Sequence, residues 1–236
     1  MDNSGALQFL VDNPNLELQR GPITDVTIDG LSTADIRDKF DEDWWFGLTG
    51  VHPTRKIYPH FNREVLMLGY VLKNPQRVLD ICCGPNPASN FLFDLAQPPQ
   101  HRTLVDLKKQ VHRLSSKLKD NPTTVHFDLR EINNSQAENY TEFARKVLTE
   151  RWNLIIATNA LNYINYPNAI HHLSSTQKTG DLFYVTNHQV CGYSEFFYNQ
   201  VPQPMPGEIV GCFEGEGYKL VRRMGEDLCH ILVEKQ

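Results

Sequence analysis

Three carboxylates stand at the ends of short apolar runs, and their spacing is the first sign of chemistry in this chain. Asp80 closes Arg77-Val78-Leu79-Asp80, Asp106 closes Arg102-Thr103-Leu104-Val105-Asp106, and Asp128 closes His126-Phe127-Asp128. Past Asp80 the chain turns through Ile81, Cys82, Cys83, Gly84, Pro85 and Asn86 into a segment with helical spacing. A strand, a tight loop and a helix start set backbone N–H groups and the positive end of a helix dipole beside a ligand over the strand's carboxyl end. An acid just before such a turn repels a pyrophosphate and favours an ammonium or another cation. Asp106 lies 22 residues beyond Gly84, close to the roughly 20-residue spacing at which an acid accepts from both ribose hydroxyls. The same acid also suits a helix N-cap before Leu107. A fourth apolar run opens into Thr158-Asn159-Ala160-Leu161-Asn162-Tyr163, and a fifth into Thr186-Asn187-His188. Asn159, Asn162 and Tyr163 are candidates for substrate chemistry, although Asn also satisfies loop backbone groups. His188, with an ordinary pKa of about 6.5, is a candidate general base, a structural histidine being the plainer role. Tyr193 opens an aromatic group completed by Phe196, Phe197 and Tyr198.

To bring these residues together the chain must alternate strands and helices. Periodicity and breakers predict strands over 77–81, 102–106, 124–128, 153–157, 181–186, 218–224 and 227–233, and helices over about 87–96, 108–118, 136–151, 166–174 and 206–216. Five βα units make a parallel sheet with helices on both faces. The last two strands are separated only by a short turn around Gly225-Glu226, which leaves no room for a crossover helix. They form a hairpin that gives the sheet one antiparallel strand. The expected fold is therefore α/β, a doubly wound, seven-stranded, mostly parallel sheet. Residues 1–75 read as a helical N-terminal cap, with a capped helix from Ser32 to Phe40, the aromatic group Trp44-Trp45-Phe46, and a second helix from His60 to Leu72. Residues 76–236 form the main unit.

Residues 77–86 resemble the first motif of the class I S-adenosylmethionine-dependent methyltransferases, commonly Val-Leu-Asp-x-Gly-Cys-Gly-x-Gly. Asp80, Cys83 and Gly84 stand where that pattern expects them, while Cys82 and Asn86 replace two of its glycines. Asn tolerates positive φ, so Asn86 keeps the turn; Cys82 requires backbone angles that suit a residue with a Cβ. The resemblance extends over residues 76–234, and the hairpin-ended sheet agrees with it. It implies S-adenosylmethionine as cofactor, held by Asp80, Cys82, Cys83, Gly84, Asp106, Leu107, Asp128, Leu129, Asn159 and Ala160. Asp128 would stand near the adenine amino group and Leu129 against the ring, a surface acid being the alternative. The implied activity is in-line methyl transfer to a small-molecule acceptor, with Asn159, Asn162, Tyr163, His188 and Tyr193 bordering the reaction. The segment after the fourth strand is not the Asn-Pro-Pro-Tyr type seen in many methyltransferases of exocyclic amines on nucleic-acid bases. Trp44, Trp45 and Tyr58 would form an aromatic lid, since ring faces attract a sulfonium by about 0.5 to 2 kcal/mol each. In-line displacement relies on alignment in a dry pocket and needs no metal. Aminocarboxypropyl transfer, cyclisation of the cofactor, and cofactor binding without catalysis are the alternatives.

Composition sets the outer bounds. The chain has 236 residues, 40% of them hydrophobic, a net charge of -5 and a pI near 6.0. It has length enough for one substantial core and lacks the basic excess of a protein whose main partner is a phosphate backbone. Five cysteines, two of them adjacent, make no disulfide framework. The nine histidines are scattered without metal-ligand spacing, so no metal is expected. The Met-Asp-Asn-Ser-Gly start has no signal-peptide pattern, and no apolar run reaches the roughly 18 residues of a membrane span. The expectation is a cytoplasmic monomer or homodimer with a small-molecule substrate, and with neither nucleic acid nor membrane as partner.

Overall fold

Val78, Leu79 and Ile81 alternate across a strand, and all three are fully buried, which requires cover on both faces. This strand, β1 (Arg77–Ile81), is one of seven: β2 (His101–Asp106), β3 (Thr123–His126), β4 (Leu154–Thr158), β5 (Leu182–His188), β6 (Tyr218–Met224) and β7 (Leu228–Lys235). The computed structural model describes residues 75–84, 87–90, 92, 98–108, 118, 120–158, 160–161, 164–188, 205–224 and 228–236. The expected N-terminal cap, with Trp44, Trp45 and Tyr58, lies outside them.

The strands lie in the order β3-β2-β1-β4-β5-β7-β6. Neighbours from β3 to β5 pair in parallel; β7 runs antiparallel to both β5 and β6. The seven-stranded mostly parallel sheet and its reversed strand agree with the sequence reading. The chain winds outward from β1 to β3, then returns to the other side of β1 with β4. In an open α/β sheet this reversal opens a crevice beyond the carboxyl ends of the two central strands. Asp80 and Ile81 therefore sit beside Ile156 and Ala157 at the point where a ligand is expected.

The register sorts side chains between two faces. Leu79, Ile81, Val105, Ile155, Ala157, Phe183, Val185, Ile231 and Val233 share one face and one core. On that core pack α1 (Tyr140–Phe143), α2 (Tyr166–Ser174) and α3 (Pro206–Gly215), through Phe143, through Ala169, Ile170 and Leu173, and through Ile209 and Phe213. Phe143 stacks on Phe127 at 4.2 Å, and Phe213 meets Phe183 edge-on at 4.9 Å. On the opposite face Val78, Asp80, Arg102, Leu104, Ile156, Tyr184 and Leu232 are buried as well.

Where the elements depart from the sequence reading, local hydrogen bonds explain it. The expected helix over 136–151 begins only at Tyr140, after Asn139 takes the left-handed φ of 63°. It then widens into a π-turn over Ala144–Leu148, where Thr149 N–H reaches the Ala144 carbonyl at 3.1 Å. The buried Trp152 indole N–H donates to the Val147 carbonyl at 2.9 Å, satisfying an oxygen that the helix end leaves unpaired. The described start of the expected helix over 87–96 is a 3-10 turn, Ala88–Asn90. β3 stops at His126, two residues short of Asp128, because the Asp128 carboxylate caps the next turn, Leu129–Glu131. β5 runs on through His188, which pairs with Leu228 of β7.

Candidate functional site

The loop after β1 is shaped by two left-handed residues, Cys82 at φ 49° and Gly84 at φ 60°. For glycine this geometry is free; for a residue with a Cβ it costs about 1 to 2 kcal/mol. Cys82 thus adopts the glycine conformation of the motif it departs from, where the sequence suggested angles ordinary for a side chain. A Cβ built on Gly84 meets none of the described residues within 4 Å, so the loop leaves room there for a close approach.

Asp106, at the end of β2, holds the loop in this shape. One of its carboxylate oxygens accepts the Gly84 N–H at 2.6 Å and the other accepts the N–H of Leu107 at 2.7 Å. The Cys83 N–H donates to the Val105 carbonyl at 3.3 Å, continuing the β1–β2 pairing into the turn. Asp106 is 5% exposed. A carboxylate offers about four acceptor sites, so tying the loop and accepting from a ligand hydroxyl are not mutually exclusive roles for such a group.

Asp80 is fully buried. Its Oδ2 accepts the Ser89 N–H at 2.8 Å, while its Oδ1 has no donor among the described residues. Burial pushes its carboxyl up to about 6, against the hydrogen bonds from Ser89 and the nearby Arg102 guanidinium, which pull it down. A buried carboxylate oxygen without a donor is costly unless something supplies one. A ligand ammonium is a chemically matched donor.

Asp128 is half-buried and accepts the Arg130 N–H at 3.0 Å; the Arg130 guanidinium forks onto both its oxygens, the closest contact being 2.5 Å. Leu129, beside it, is buried. The three acids converge on one thiol: burial first, then the carboxylates of Asp106, Asp128 and Asp80, raise the Cys82 thiol well above its ordinary value, with Arg130 opposing. The Cys83 thiol is raised by burial, then by Asp106 and Asp80. Neither thiol is a nucleophile at neutral pH.

Of the other site residues expected from sequence, Ala160 lies just beyond β4 and is buried with Leu161. Asn159, Asn162, Tyr163 and Tyr193 lie outside the described residues, and His188 is placed only as the last residue of β5. Sequence reasoning missed Arg102, Ser89 and Asn90. The one sign of Arg102 in the sequence is a cation within the strand expected over 102–106, ahead of its apolar pair Leu104-Val105.

No family model matches the sequence, and no curated protein sequence matches it. Solved structures do. The chain is similar to the N-methyltransferase NodS from Bradyrhizobium japonicum WM9, at 15% identity over 75% of this chain and 95% of that one, with a TM-score of 0.55. A S-adenosylmethionine-dependent methyltransferase from Clostridium acetobutylicum ATCC 824 aligns over 80% of this chain and 98% of its own, at 12% identity and a TM-score of 0.59. The chain has the class I methyltransferase fold. A family 2 O-methyltransferase from Planctomyces limnophilus DSM 3776, solved with apigenin, shares that fold over 89% of this chain and 63% of its own, at 14% identity and a TM-score of 0.58. Within the class I fold, likeness at such identities fixes the sheet and the crevice, while the reaction depends on the residues placed there. Among the described residues no helix is long and apolar enough to cross a membrane, and no cluster of three or more His, Cys, Asp or Glu could hold a metal ion.

Proposed function

We propose that this protein is a S-adenosylmethionine-dependent methyltransferase acting on a small-molecule acceptor. The observation that carries the reading is the convergence of Asp80, Asp106 and Asp128 on the single loop at the switch point of a class I methyltransferase sheet. The described residues fit the cofactor: Asp80 has a buried oxygen with no donor among them, Asp106 is a carboxylate acceptor at the end of β2 against the same loop, and a Cβ built on Gly84 meets none of them. When bound, the cofactor supplies a methyl group on a sulfonium sulfur.

The chain's own residues then bind and orient. Asp80 accepts from the amino group, Asp106 from the ribose hydroxyls, and Asp128 with Leu129 borders the adenine; Cys82, Cys83, Leu107, Asn159 and Ala160 complete the lining. Asn159, Asn162, Tyr163, His188 and Tyr193 border the acceptor, with His188 taking its proton where the nucleophile carries one. Trp44, Trp45 and Tyr58 close the pocket, exclude water and offer aromatic faces to the positive sulfur. The net charge of -5 agrees with a small molecule rather than a nucleic acid as acceptor, in a soluble cytoplasmic monomer or homodimer without a membrane partner.

A second reading rests on Cys82, whose Cβ stands on the cofactor loop where the motif has glycine. A reshaped methionine end favours attack on the aminocarboxypropyl arm or cyclisation, either of which releases methylthioadenosine. Incubation with S-adenosylmethionine, alone and with cell extract, followed by mass spectrometry of the nucleoside product, separates the readings. S-adenosylhomocysteine formed only with extract supports methyl transfer to a diffusible acceptor; methylthioadenosine supports the second reading, as cyclisation of the cofactor where it forms without extract and as aminocarboxypropyl transfer to an acceptor where it forms only with extract. A folded protein that binds no cofactor at millimolar concentration refutes both.

A further inference from the structure

Arg102 is a cation in the middle of a buried sheet. Its side chain is fully buried on β2, on the same sheet face as Asp80, whose partner in register is the next-but-one residue, Leu104. Removing a guanidinium from water costs several kcal/mol, and an apolar side chain of similar volume is often the more stable choice there. The hydrogen bonds of Arg102 show what the ion does instead. Nε donates to Asp120 Oδ2 at 3.1 Å and Nη2 pairs with Asp120 Oδ1, while Nη1 donates to Ser89 Oγ at 3.1 Å and to Asn90 Oδ1 at 2.7 Å. One fork thus joins the segment before β3 to the turn after the cofactor loop. The backbone of that same Ser89 donates to Asp80 Oδ2.

We infer that Arg102 is a positioning residue for cofactor recognition: it clamps Ser89 and Asn90 so that Asp80 presents its second oxygen, as a carboxylate, to the cofactor's amino group. The inference rests on the cofactor reading above. The guanidinium works in two ways. Its field favours the charged form of Asp80, against the burial that opposes it. Its planar fork fixes the Ser89 N–H on Oδ2, which leaves Oδ1 as the acceptor still open among the described residues. Among the described residues, Asp80 also acts on the thiols of Cys82 and Cys83, and Asp106 acts on both thiols.

The test combines two measurements on the full chain, a pH titration and ligand binding at neutral pH, in wild type, Arg102→Lys and Arg102→Met. One is the titration of the Asp80 carboxyl by carbon-13 NMR, assigned with Asp80→Asn. The other is equilibrium binding of S-adenosylmethionine and of its analogue lacking the amino group. Wild type should titrate near 6 and prefer the amino-bearing ligand. Arg102→Met should titrate higher and lose about tenfold of that preference, roughly one charged hydrogen bond. Arg102→Lys keeps the charge without the fork and should restore the titration more than the preference. An unmoved titration with an intact preference in folded Arg102→Met overturns the role of Arg102 and leaves the cofactor reading standing. Wild type that binds neither ligand overturns the cofactor reading and this assignment together. Should Arg102→Met fail to fold, Asn90→Ala removes the shortest bond between the Arg102 fork and the turn, at 2.7 Å, while keeping the Ser89 groups that reach Asp80. It must then reduce the amino preference, and an undiminished preference overturns the inference.

Discussion

Asp80→Asn should uncouple the stability of the protein from pH in the acid range. Burial raises the Asp80 carboxyl from 3.8 to about 6 in the folded chain, while the unfolded chain keeps a value of about 3.9. The folded state therefore holds this proton more tightly. Its contribution is fully present below pH 4 and is lost as pH rises through 6. A shift of about two units, at about 1.4 kcal/mol each, makes that loss about 3 kcal/mol, or 6 to 12 °C in Tm for a chain of this size. Asn carries no charge at any pH and keeps an oxygen for the Ser89 N–H. Urea unfolding of wild type and Asp80→Asn at half-unit intervals from pH 4 to 8 gives two stability curves. Their difference should swing by about 3 kcal/mol in favour of the Asn variant between pH 4 and 7, then level off. A constant difference would refute a buried, destabilised carboxylate. A swing in the other direction would mean that Arg102 and Ser89 outweigh burial and that Asp80 ionises easily. A bound ammonium selects the carboxylate, so affinity for S-adenosylmethionine in wild type should rise with pH through the same window.

Asp106→Ala removes the acceptor for Gly84 and for ribose hydroxyls together, and should weaken cofactor binding by about 1.5 to 3 kcal/mol by calorimetry; an unchanged Kd removes Asp106 from the site. Cys82→Gly relieves a left-handed side-chain residue and should raise unfolding stability by about 0.5 to 1 kcal/mol after the extra chain entropy of glycine. Cys82 and Cys83 should resist iodoacetamide in the folded chain at pH 7.5, as burial and the neighbouring acids keep both thiols protonated; rapid labelling by mass spectrometry would contradict that environment. Trp44→Ala and Trp45→Ala should lower turnover through loss of the lid, and full activity in both variants would end the lid proposal.

The strands were legible because each carries its own signal: a cluster of two to five apolar residues between breakers, with the hairpin read from a turn too short for a helix. β1 and β6 fall where periodicity places them, and the reversed strand follows from chain length alone. The acids were legible because strand ends are where an α/β sheet meets its ligand. Less visible were features decided by a single side chain competing for backbone. Asp128 ends β3 early by capping the next turn, and Trp152 receives the π-turn through its indole N–H. Arg102 escaped notice because composition and periodicity count a strand arginine as a break in the apolar pattern. Only the register shows that it shares a face with Asp80 and reaches Ser89 and Asn90.

The two ends of the sheet handle polar groups in opposite ways, and the contrast locates function. At the amino ends, Asp181 accepts from the Arg151 guanidinium on both oxygens, from Asn153 Nδ2 and from the Lys178 N–H. Asn153 Oδ1 takes the Arg77 N–H, and Arg77 reaches the Arg151 carbonyl and Glu150. Those groups are satisfied within the fold, so Asp181→Ala should cost about 2 to 3 kcal/mol of stability and leave cofactor affinity unchanged. At the carboxyl ends, a buried carboxylate oxygen lacks a donor among the described residues, three acids act on one loop thiol, and a cysteine holds a glycine's backbone angles. A fold concerned only with its own stability would place an apolar or uncharged residue at position 80 and glycine at 82. Strain and unmet hydrogen bonding of this kind persist where the surrounding structure fixes them and a ligand completes them. If Asp181→Ala weakened S-adenosylmethionine binding as much as Asp106→Ala does, this division between a structural and a functional end would fail.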